Sequence, residues 1–248
     1  MALQQEFKSQ GDFLFKHRSY LPLIFLTIGL MVFAHHEYYE IDHTKTWLSN
    51  NFEVICLLVS LLGFGIRVIT IGHTAANTSG RNTKEGQIAD ELNTTGIYSI
   101  VRHPLYLGNF FMWLGVSMLT ENFWFVIAFI FFYFIYYERI MYAEESFLIE
   151  KFGSTYLVWA ERTPAFIPSI KHYKPPIVSF NLRKVLRKEK NGFAAIFILF
   201  WVFDIIGELM EQKRMEFNFW FYAAIVAGMI YLVLKILKKR KVLEDKQN

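Results

Sequence analysis

The chain has 248 residues, of which 54% are hydrophobic, 18% aromatic and only 19% charged, and its formal net charge is +4. This composition lies outside that of soluble domains of similar length and indicates an integral membrane protein. A small positive charge then favours contact with anionic lipid headgroups, so no nucleic-acid partner is expected. Because Cys56 is the only cysteine, intrachain disulfides and thiolate metal sites are excluded.

Six apolar stretches are each near the length that crosses a hydrocarbon core, and they predict an all-α, polytopic transmembrane bundle of about six spans. They cover residues 20–36, 53–72, 105–120, 123–142, 193–210 and 217–237. We expect the whole chain, 1–248, to form one membrane domain. If all six cross from a cytoplasmic N-terminus, only Lys45, Lys213 and Arg214 among 26 Lys and Arg lie on the far side. The positive-inside rule therefore predicts cytoplasmic N- and C-termini.

The N-terminal residues 1–19 mix aromatic and basic side chains in a pattern typical of an interfacial amphipathic helix, with a frayed tail as the alternative. At the end of the first span, His35-His36-Glu37 precedes Tyr38-Tyr39. We interpret this run as an aromatic belt with solvated histidines and predict no metal site.

Arg67 lies in the second span, about five residues from its inner end. Its guanidinium either snorkels to the interface or contacts a buried anion. The glycines of G-F-G at 63–65 lack the context of a dinucleotide loop and predict close helix packing. In the long polar connection 73–95, Arg81 lies in a turn that is either solvated or contacts a phosphate or headgroup.

A cluster of polar side chains opens the third apolar stretch, between Gly96 and Gly108, with the sequence G-I-Y-S-I-V-R-H-P-L-Y-L-G. Ionisable groups at a membrane boundary lose solvation unless something binds them, so this cluster is a candidate site. Pro104 suits the first turn of a helix, which places Arg102 and His103 at a helix N-terminus that favours an anion.

Two tyrosines of the same stretch, Tyr98 and Tyr106, offer aromatic faces to a cation or a flat ring. The alternative for the whole stretch is a simple interface anchor of arginine and tyrosine.

A second charged cluster ends the fourth span and contains Glu138, Arg139, Glu144 and Glu145. At 3.6 residues per turn, Glu138 and Glu145 are nearly aligned, whereas Glu144 points elsewhere. We predict that the two clusters meet at the inner membrane face. In the fifth span, Asp204 and Glu208 lie one turn apart; we expect a structural or polar-cavity role, with proton handling as the alternative.

The motif G-x-Y-x-x-x-R-H-P-x-Y-x-G, followed by an apolar hairpin, E-E-x-x-L, F-G-x-x-Y and F-I-P, resembles the isoprenylcysteine carboxyl methyltransferases and the wider group of membrane phospholipid methyltransferases. The match covers 96–168, which we take as the methyltransferase core. The resemblance implies S-adenosylmethionine as methyl donor, bound on the cytosolic side. It further implies donor contacts at Tyr98, His103, Tyr106 and Glu144, and at the segment from Asp90 to Asn93.

The chain departs from that family at one position. The eukaryotic carboxyl methyltransferases have an arginine four residues before the first glutamate of the second motif, and this chain has Ile140 there, with Arg139 one residue earlier. The departure bears on the prenylcysteine substrate more than on the donor.

The residues suit the chemistry, because methyl transfer from a sulfonium mainly requires alignment of donor and acceptor and exclusion of water. Arg102, His103 and the helix end that Pro104 begins suit the donor carboxylate, and a glutamate such as Glu144 or Glu145 suits its amine or ribose hydroxyls.

The acceptor is expected to be a lipid or lipidated molecule. An anionic oxygen, carboxylate or phosphate, would be steered by Arg67, Arg81 or Arg139 and needs no base, whereas an amine would need Glu138 or Glu145. The surplus of arginines favours the anion. Two alternatives are a sterol-type reductase using NADPH, which shares an R-H-P-x-Y-x-G element, and a lipid-binding or transport protein.

Overall fold

The computed structural model describes residues 2–18, 20–39, 47–75, 78, 81–83, 86–210 and 216–244. Within them the chain forms α1 Leu3–Lys16, α2 Leu21–Tyr39, α3 Trp47–Gly72, α4 Pro104–Met118, α5 Phe123–Phe152, α6 Ser154–Arg162, α7 Leu182–Met210 and α8 Phe219–Lys239. Two 3-10 turns span Gly96–Ser99 and Ile170–His172. Between α3 and α4, strands β1 Arg81–Thr83 and β2 Gly86–Ile88 pair as an antiparallel hairpin. The predicted helical bundle is confirmed.

Each of the six predicted apolar stretches lies largely within one helix. By length and composition, four helices in the described ranges qualify as membrane spans, namely Asn51–Gly72 of α3 together with α5, α7 and α8. Helix α4 has 15 residues, about 22 Å at ~1.5 Å per residue, which is shorter than a hydrocarbon core of ~30 Å. The bundle prediction therefore holds, and its count of about six spans is approximate.

Helices α3 and α4 pack closely because their facing residues are small. A Cβ atom at Gly63 would lie 2.5 Å from the backbone nitrogen of Met112, and one at Gly115 would meet Ser60 Oγ. The Ser60 hydroxyl donates to the Met112 carbonyl at 3.1 Å. Gly63 thus has the packing role predicted for it, whereas Gly65 has open space beside it.

The N-terminal segment folds as a helix, which excludes the frayed tail. Helix α1 packs on α5, where Phe15 is buried and a Cβ atom at Gly11 would lie 2.7 Å from Cβ of Ala143. The Arg139 guanidinium carbon lies 3.4 Å from the ring centroid of Phe7. Helix α1 therefore covers the outer face of α5.

Two helices extend beyond the apolar stretches that predicted them. Helix α5 continues to Phe152, ten residues past the apolar stretch 123–142, and stops at Gly153, whose φ of 54° favours glycine. Helix α7 begins at Leu182 and not at Phe193. In both cases charged residues extend the helix because their side chains are paired at the bundle's end, and the extension places Glu144 and Glu145 on α5.

Asp204 and Glu208 lie where α7 leads into α8. Both Asp204 oxygens are 2.8 Å from Asn218 Nδ2, and the Asn218 side chain caps α8 by accepting from the amides of Trp220 and Phe221. Glu208 accepts from the Glu216 amide at 3.1 Å. These contacts agree with the expected structural role of the pair. Because α7 begins at Leu182, Asp204 lies in the second half of this helix.

Candidate active site

The segment 96–103 is held in place by the segment 163–174. The amide of Gly96, whose φ is 61°, donates to the Lys174 carbonyl at 2.9 Å. Farther along, the Arg102 amide donates to the Pro164 carbonyl at 2.8 Å and the His103 amide to the Ala165 carbonyl at 3.2 Å. These bonds fix the side chains that immediately precede α4.

The two charged clusters meet, as predicted. His103 Nε2 lies 2.8 Å from Glu145 Oε1, and His103 Nδ1 lies 3.6 Å from Glu144 Oε2. Arg102 Nε lies 2.9 Å from the same Glu145 oxygen, and Arg102 Nη1 donates to the Ala160 carbonyl at 2.9 Å. The start of α4 is thereby joined to the end of α5 and to α6.

His103 lies between two carboxylates, which stabilise its protonated form. Burial of the imidazole acts to lower the pKa of His103, but the hydrogen bonds and charges of Glu144 and Glu145 outweigh burial and raise that pKa above its ordinary value. The imidazolium directs one N–H toward each carboxylate. In this arrangement Glu145 is shared by Arg102 and His103, and Glu144 faces the adjoining cavity.

A cavity of about 580 Å³ lies beside this cluster, within the ~300–1,000 Å³ typical of small-molecule sites. Its lining includes the motif residues that the resemblance implies as donor contacts, residues 91–93 but not Asp90 of the preceding segment, and several basic residues of α7 and α8. The predicted cofactor residues in its lining are Asn93, Tyr98, Arg102, His103, Pro104, Tyr106 and Glu144. Glu145 supports the site through Arg102 and His103.

The tyrosines of the site are ordered by neighbouring rings and backbone. Tyr106 stacks on His103 with ring centroids 5.5 Å apart and an interplanar angle of 17°. The Trp159 indole donates to the Tyr98 carbonyl at 3.2 Å. Burial and the charge of Glu144 raise the pKa of Tyr98, so its hydroxyl remains a donor. Aromatic faces and a carboxylate thus share one part of the cavity.

Arg67 lines the cavity, and a carboxylate of the chain itself pairs with it. Its Nε and Nη2 donate to the two oxygens of Glu189 at 2.7 and 2.6 Å, and Nη1 donates to Asn109 Oδ1 at 2.7 Å. The Glu189 side chain is only 3% exposed. Arg67 therefore makes the predicted contact with a buried anion, which is the Glu189 carboxylate, and does not snorkel to the interface.

The predicted residues Glu138 and Arg139 lie apart from the cavity lining. Arg139 Nη1 bonds to Glu138 Oε2 at 3.1 Å and its guanidinium covers Phe7 of α1. The Glu138 side chain is 65% exposed. The side chain of Arg81 lies outside the described part of the structure.

Several lining residues have no counterpart among the predicted ones. Glu189 and Arg187 lie in the basic run 183–190, whose composition is typical of a membrane-surface segment. Glu189 is the single acid of this run, and its presence is the one sequence signal for a buried ion pair. Arg18 enters from the start of α2, and Asn109 lies one turn into α4 beyond the motif. These residues reach the cavity only because the helices pack together, and the spacing of the motifs does not predict that packing.

Known proteins with similar sequences include methyltransferases. The phospholipid methyltransferase family model matches residues 54–155. The cobalt-zinc-cadmium resistance protein of Cupriavidus metallidurans is 29% identical over 171 residues, which is 67% of this chain and 71% of that protein. No solved structure is significantly similar to the chain.

Isoprenylcysteine methyltransferases are also similar to the chain. The protein-S-isoprenylcysteine O-methyltransferase of Saccharomyces cerevisiae is 35% identical over 116 residues, covering 46% of this chain and 48% of that protein. The B form from Arabidopsis thaliana is 36% identical over 118 residues, covering 43% and 59%. The chain therefore spans about half the length of these relatives. Residues 54–155, which contain both charged clusters of the cavity, are therefore similar to membrane phospholipid methyltransferases, and about half of the chain is similar to isoprenylcysteine methyltransferases.

Proposed function

We propose that the protein transfers a methyl group from S-adenosylmethionine to an anionic oxygen of a lipid or lipidated acceptor, at the cytoplasmic side of the membrane. The observation that carries this proposal is the convergence of the two motif clusters on one cavity, which Tyr98, Tyr106, His103 and Glu144 all line.

One side of the cavity suits a cationic donor. Tyr98 and Tyr106 line the cavity with aromatic rings, a residue type that attracts a sulfonium, and the Glu144 side chain supplies a negative charge in the same lining. Arg102 and His103 are basic, but Glu145 already neutralises part of their charge. Bound there, S-adenosylmethionine would supply its methyl group to an acceptor oxygen by in-line displacement.

The cavity as a whole favours an anionic acceptor. Seven of its lining residues are Lys or Arg and three are Glu: Arg18, Arg67, Arg102, Arg187, Lys188, Lys190 and Lys238 against Glu91, Glu144 and Glu189. A carboxylate or phosphate oxygen entering this field is attracted, and it needs no general base because it is already deprotonated.

The two candidate bases for an amine acceptor are poorly placed. Glu138 is mostly exposed and pairs with Arg139 outside the cavity. Glu145 is engaged by both Arg102 and His103. Neither carboxylate is available to remove a proton from an amine, which further supports an anionic oxygen.

The acceptor need not be a prenylcysteine. Ile140, which replaces an arginine of the carboxyl methyltransferases, is fully buried in the apolar cluster around Tyr133 and Tyr137. The neighbouring Arg139 faces α1. Any positive charge for the acceptor must therefore come from elsewhere in the cavity.

The proposal is tested by incubating membranes that contain the protein with methyl-labelled S-adenosylmethionine. We expect label in a lipid or lipidated product. Release of the label as volatile methanol by mild base would identify a carboxyl methyl ester, whereas label that withstands mild base would indicate a phosphate ester. A Glu144→Ala variant expressed to the same level should lose most of the incorporation. Equal labelling in membranes with and without the protein would overturn the proposal.

A further inference from the structure

The C-terminal helices contribute a basic wall to the cavity, outside the 54–155 region that matches the family model. The wall consists of Arg187, Lys188 and Lys190 from the start of α7 and Lys238 from the end of α8. The one acid within it, Glu189, is used by Arg67 in the two-bond pair described above. Its charge also acts on Lys190, but Lys238 and Lys235 oppose it there, and the wall keeps an excess of positive charge.

Positive groups in this basic wall are close together and partly buried. Lys190 is only 8% exposed, its ammonium donates to the Arg187 carbonyl at 3.0 Å, and Lys238 and Lys235 are near enough to repel it. Arg187 Nε is buried with no hydrogen-bond partner in the described ranges. Crowding like charges and burying a donor without a partner are both unfavourable, and an anion in the cavity would relieve both.

Glu144 and the tyrosines come from α4, α5 and the segment before α4, where Glu144 and Glu145 offset the charges of Arg102 and His103. The basic wall comes from α7 and α8. The two reactants of the proposed methyl transfer carry opposite charges at their reacting ends. The cationic donor would therefore bind beside Glu144 and the tyrosines, and the anionic acceptor beside the basic wall of the same cavity.

The position of the basic wall points to a lipid headgroup. Lys190 precedes the apolar run 193–210, and Lys238 follows the apolar run 217–237. Both helices qualify as membrane spans by length and composition. A cationic group at the end of a span lies at headgroup depth, where it meets anions attached to hydrocarbon chains.

We propose that Arg187, Lys190 and Lys238 form the acceptor-headgroup subsite, which binds a carboxylate or phosphate carried on a hydrocarbon anchor. The subsite rests on the proposed methyl transfer for its role as acceptor site. Its binding of an anionic headgroup can be measured without turnover.

The test is a calorimetric titration of the full chain in a non-ionic detergent with three probes. Dihexanoyl phosphatidate carries an anionic headgroup, dihexanoyl phosphatidylcholine carries the same chains with a zwitterionic one, and inorganic phosphate carries no chain. We expect phosphatidate to bind the wild type at least about tenfold more tightly than either other probe, because charge-assisted bonds and the anchor both contribute.

The variants form matched sets. Arg187→Gln combined with Lys190→Gln should weaken phosphatidate binding by at least about tenfold, since two charge-assisted contacts are lost. Lys238→Gln should weaken it about fivefold. Its exposed neighbour Lys239 lies outside the cavity lining, and Lys239→Gln should change it less than about twofold.

Titration with S-adenosylmethionine in parallel separates this subsite from the donor site and confirms that each variant is folded. The donor dissociation constant should stay within about twofold of the wild type in all variants. Absent donor binding with phosphatidate binding retained would overturn methyl transfer while supporting the headgroup subsite. Unchanged phosphatidate affinity in the double variant, equal losses in Lys238→Gln and Lys239→Gln, or phosphate binding as tight as phosphatidate would each overturn the subsite.

Discussion

His103 shows how one side chain links the two motif regions. Its ring lies between carboxylates from consecutive positions of α5, and it also stacks on Tyr106. The sequence indicated a functional histidine at a helix start, but the pattern did not reveal that Glu145 would neutralise both His103 and Arg102. That contact spans 42 residues of chain and follows from the α4–α5 hairpin.

The raised pKa of His103 predicts a pH dependence of stability. The stabilisation from the imidazolium is complete below the unfolded pKa of about 6.5 and is lost as the pH rises through the raised folded pKa. The melting temperature in detergent should therefore fall with rising pH above neutrality in the wild type, and a His103→Gln variant should show a flatter profile. A variant profile that is parallel to the wild type would contradict this role.

The Arg67–Glu189 pair predicts a large asymmetry between single and double variants. Arg67→Met leaves a carboxylate that is 3% exposed without its partner, which should reduce the free energy of unfolding by about 3–5 kcal/mol. Arg67→Met with Glu189→Leu should recover much of that loss. Stability against graded denaturing detergent measures both.

The matched control is the pair of Glu138, whose side chain is 65% exposed, and Arg139. Glu138→Gln should change the free energy of unfolding by less than about 1 kcal/mol, because solvent screens this pair. A double variant of Arg67 and Glu189 that is less stable than Arg67→Met would argue against a compensated buried charge.

At the level of elements, hydropathy located every long helix but misplaced the ends that form the site. The charged turns at the end of α5 and the start of α7 interrupt the apolar pattern, yet they remain helical because Glu145 and Glu189 find partners in the bundle. The hairpin of β1 and β2 in the polar connection also has no clear periodic signal in the sequence. Helix ends that carry paired charges are therefore where sequence patterns fail.

Close packing of α3 on α4 predicts different outcomes for two glycines of the same helix. A Cβ atom at Gly63 would lie 2.9 Å from Cβ of Phe111, whereas Gly65 has nothing within 4 Å. Gly63→Ala should cost about 1–3 kcal/mol of stability through overpacking, and Gly65→Ala should be neutral or slightly stabilising. Thermal melting in detergent compares them. Equal melting temperatures for the two variants would show that α4 does not pack against Gly63 in this way.

For the whole molecule, the residues that line the cavity show in which direction each long helix runs. It is lined by residues near the start of α2, the end of α3, the start of α4, the end of α5, the start of α7 and the end of α8. Successive long helices therefore run in opposite directions, as a polytopic bundle requires. Six apolar stretches predicted this alternation and the meeting of the two charged clusters at the inner face. The motif resemblance further implied that both clusters contact one methyl donor.

The predicted orientation places the cavity on the cytoplasmic side. Cys56 is the only cysteine and is fully buried, so single introduced cysteines report accessibility with little background. Lys171→Cys, near the segment that holds the site, should react with an impermeant maleimide only after cells are permeabilised. Phe217→Cys, at the opposite end, should react in intact cells. The reverse labelling pattern would invert the topology.

We propose that the clusters before α4 and at the end of α5 enclose one binding site for S-adenosylmethionine. Calorimetric titration of the donor into the wild type, Glu144→Ala and Glu138→Ala in the same detergent tests it most directly. We predict binding by the wild type, a loss of affinity of at least about tenfold in Glu144→Ala, and no change beyond about twofold in Glu138→Ala, whose carboxylate lies outside the cavity. A folded wild type that binds no donor, or equal losses in the two variants, would contradict the claim.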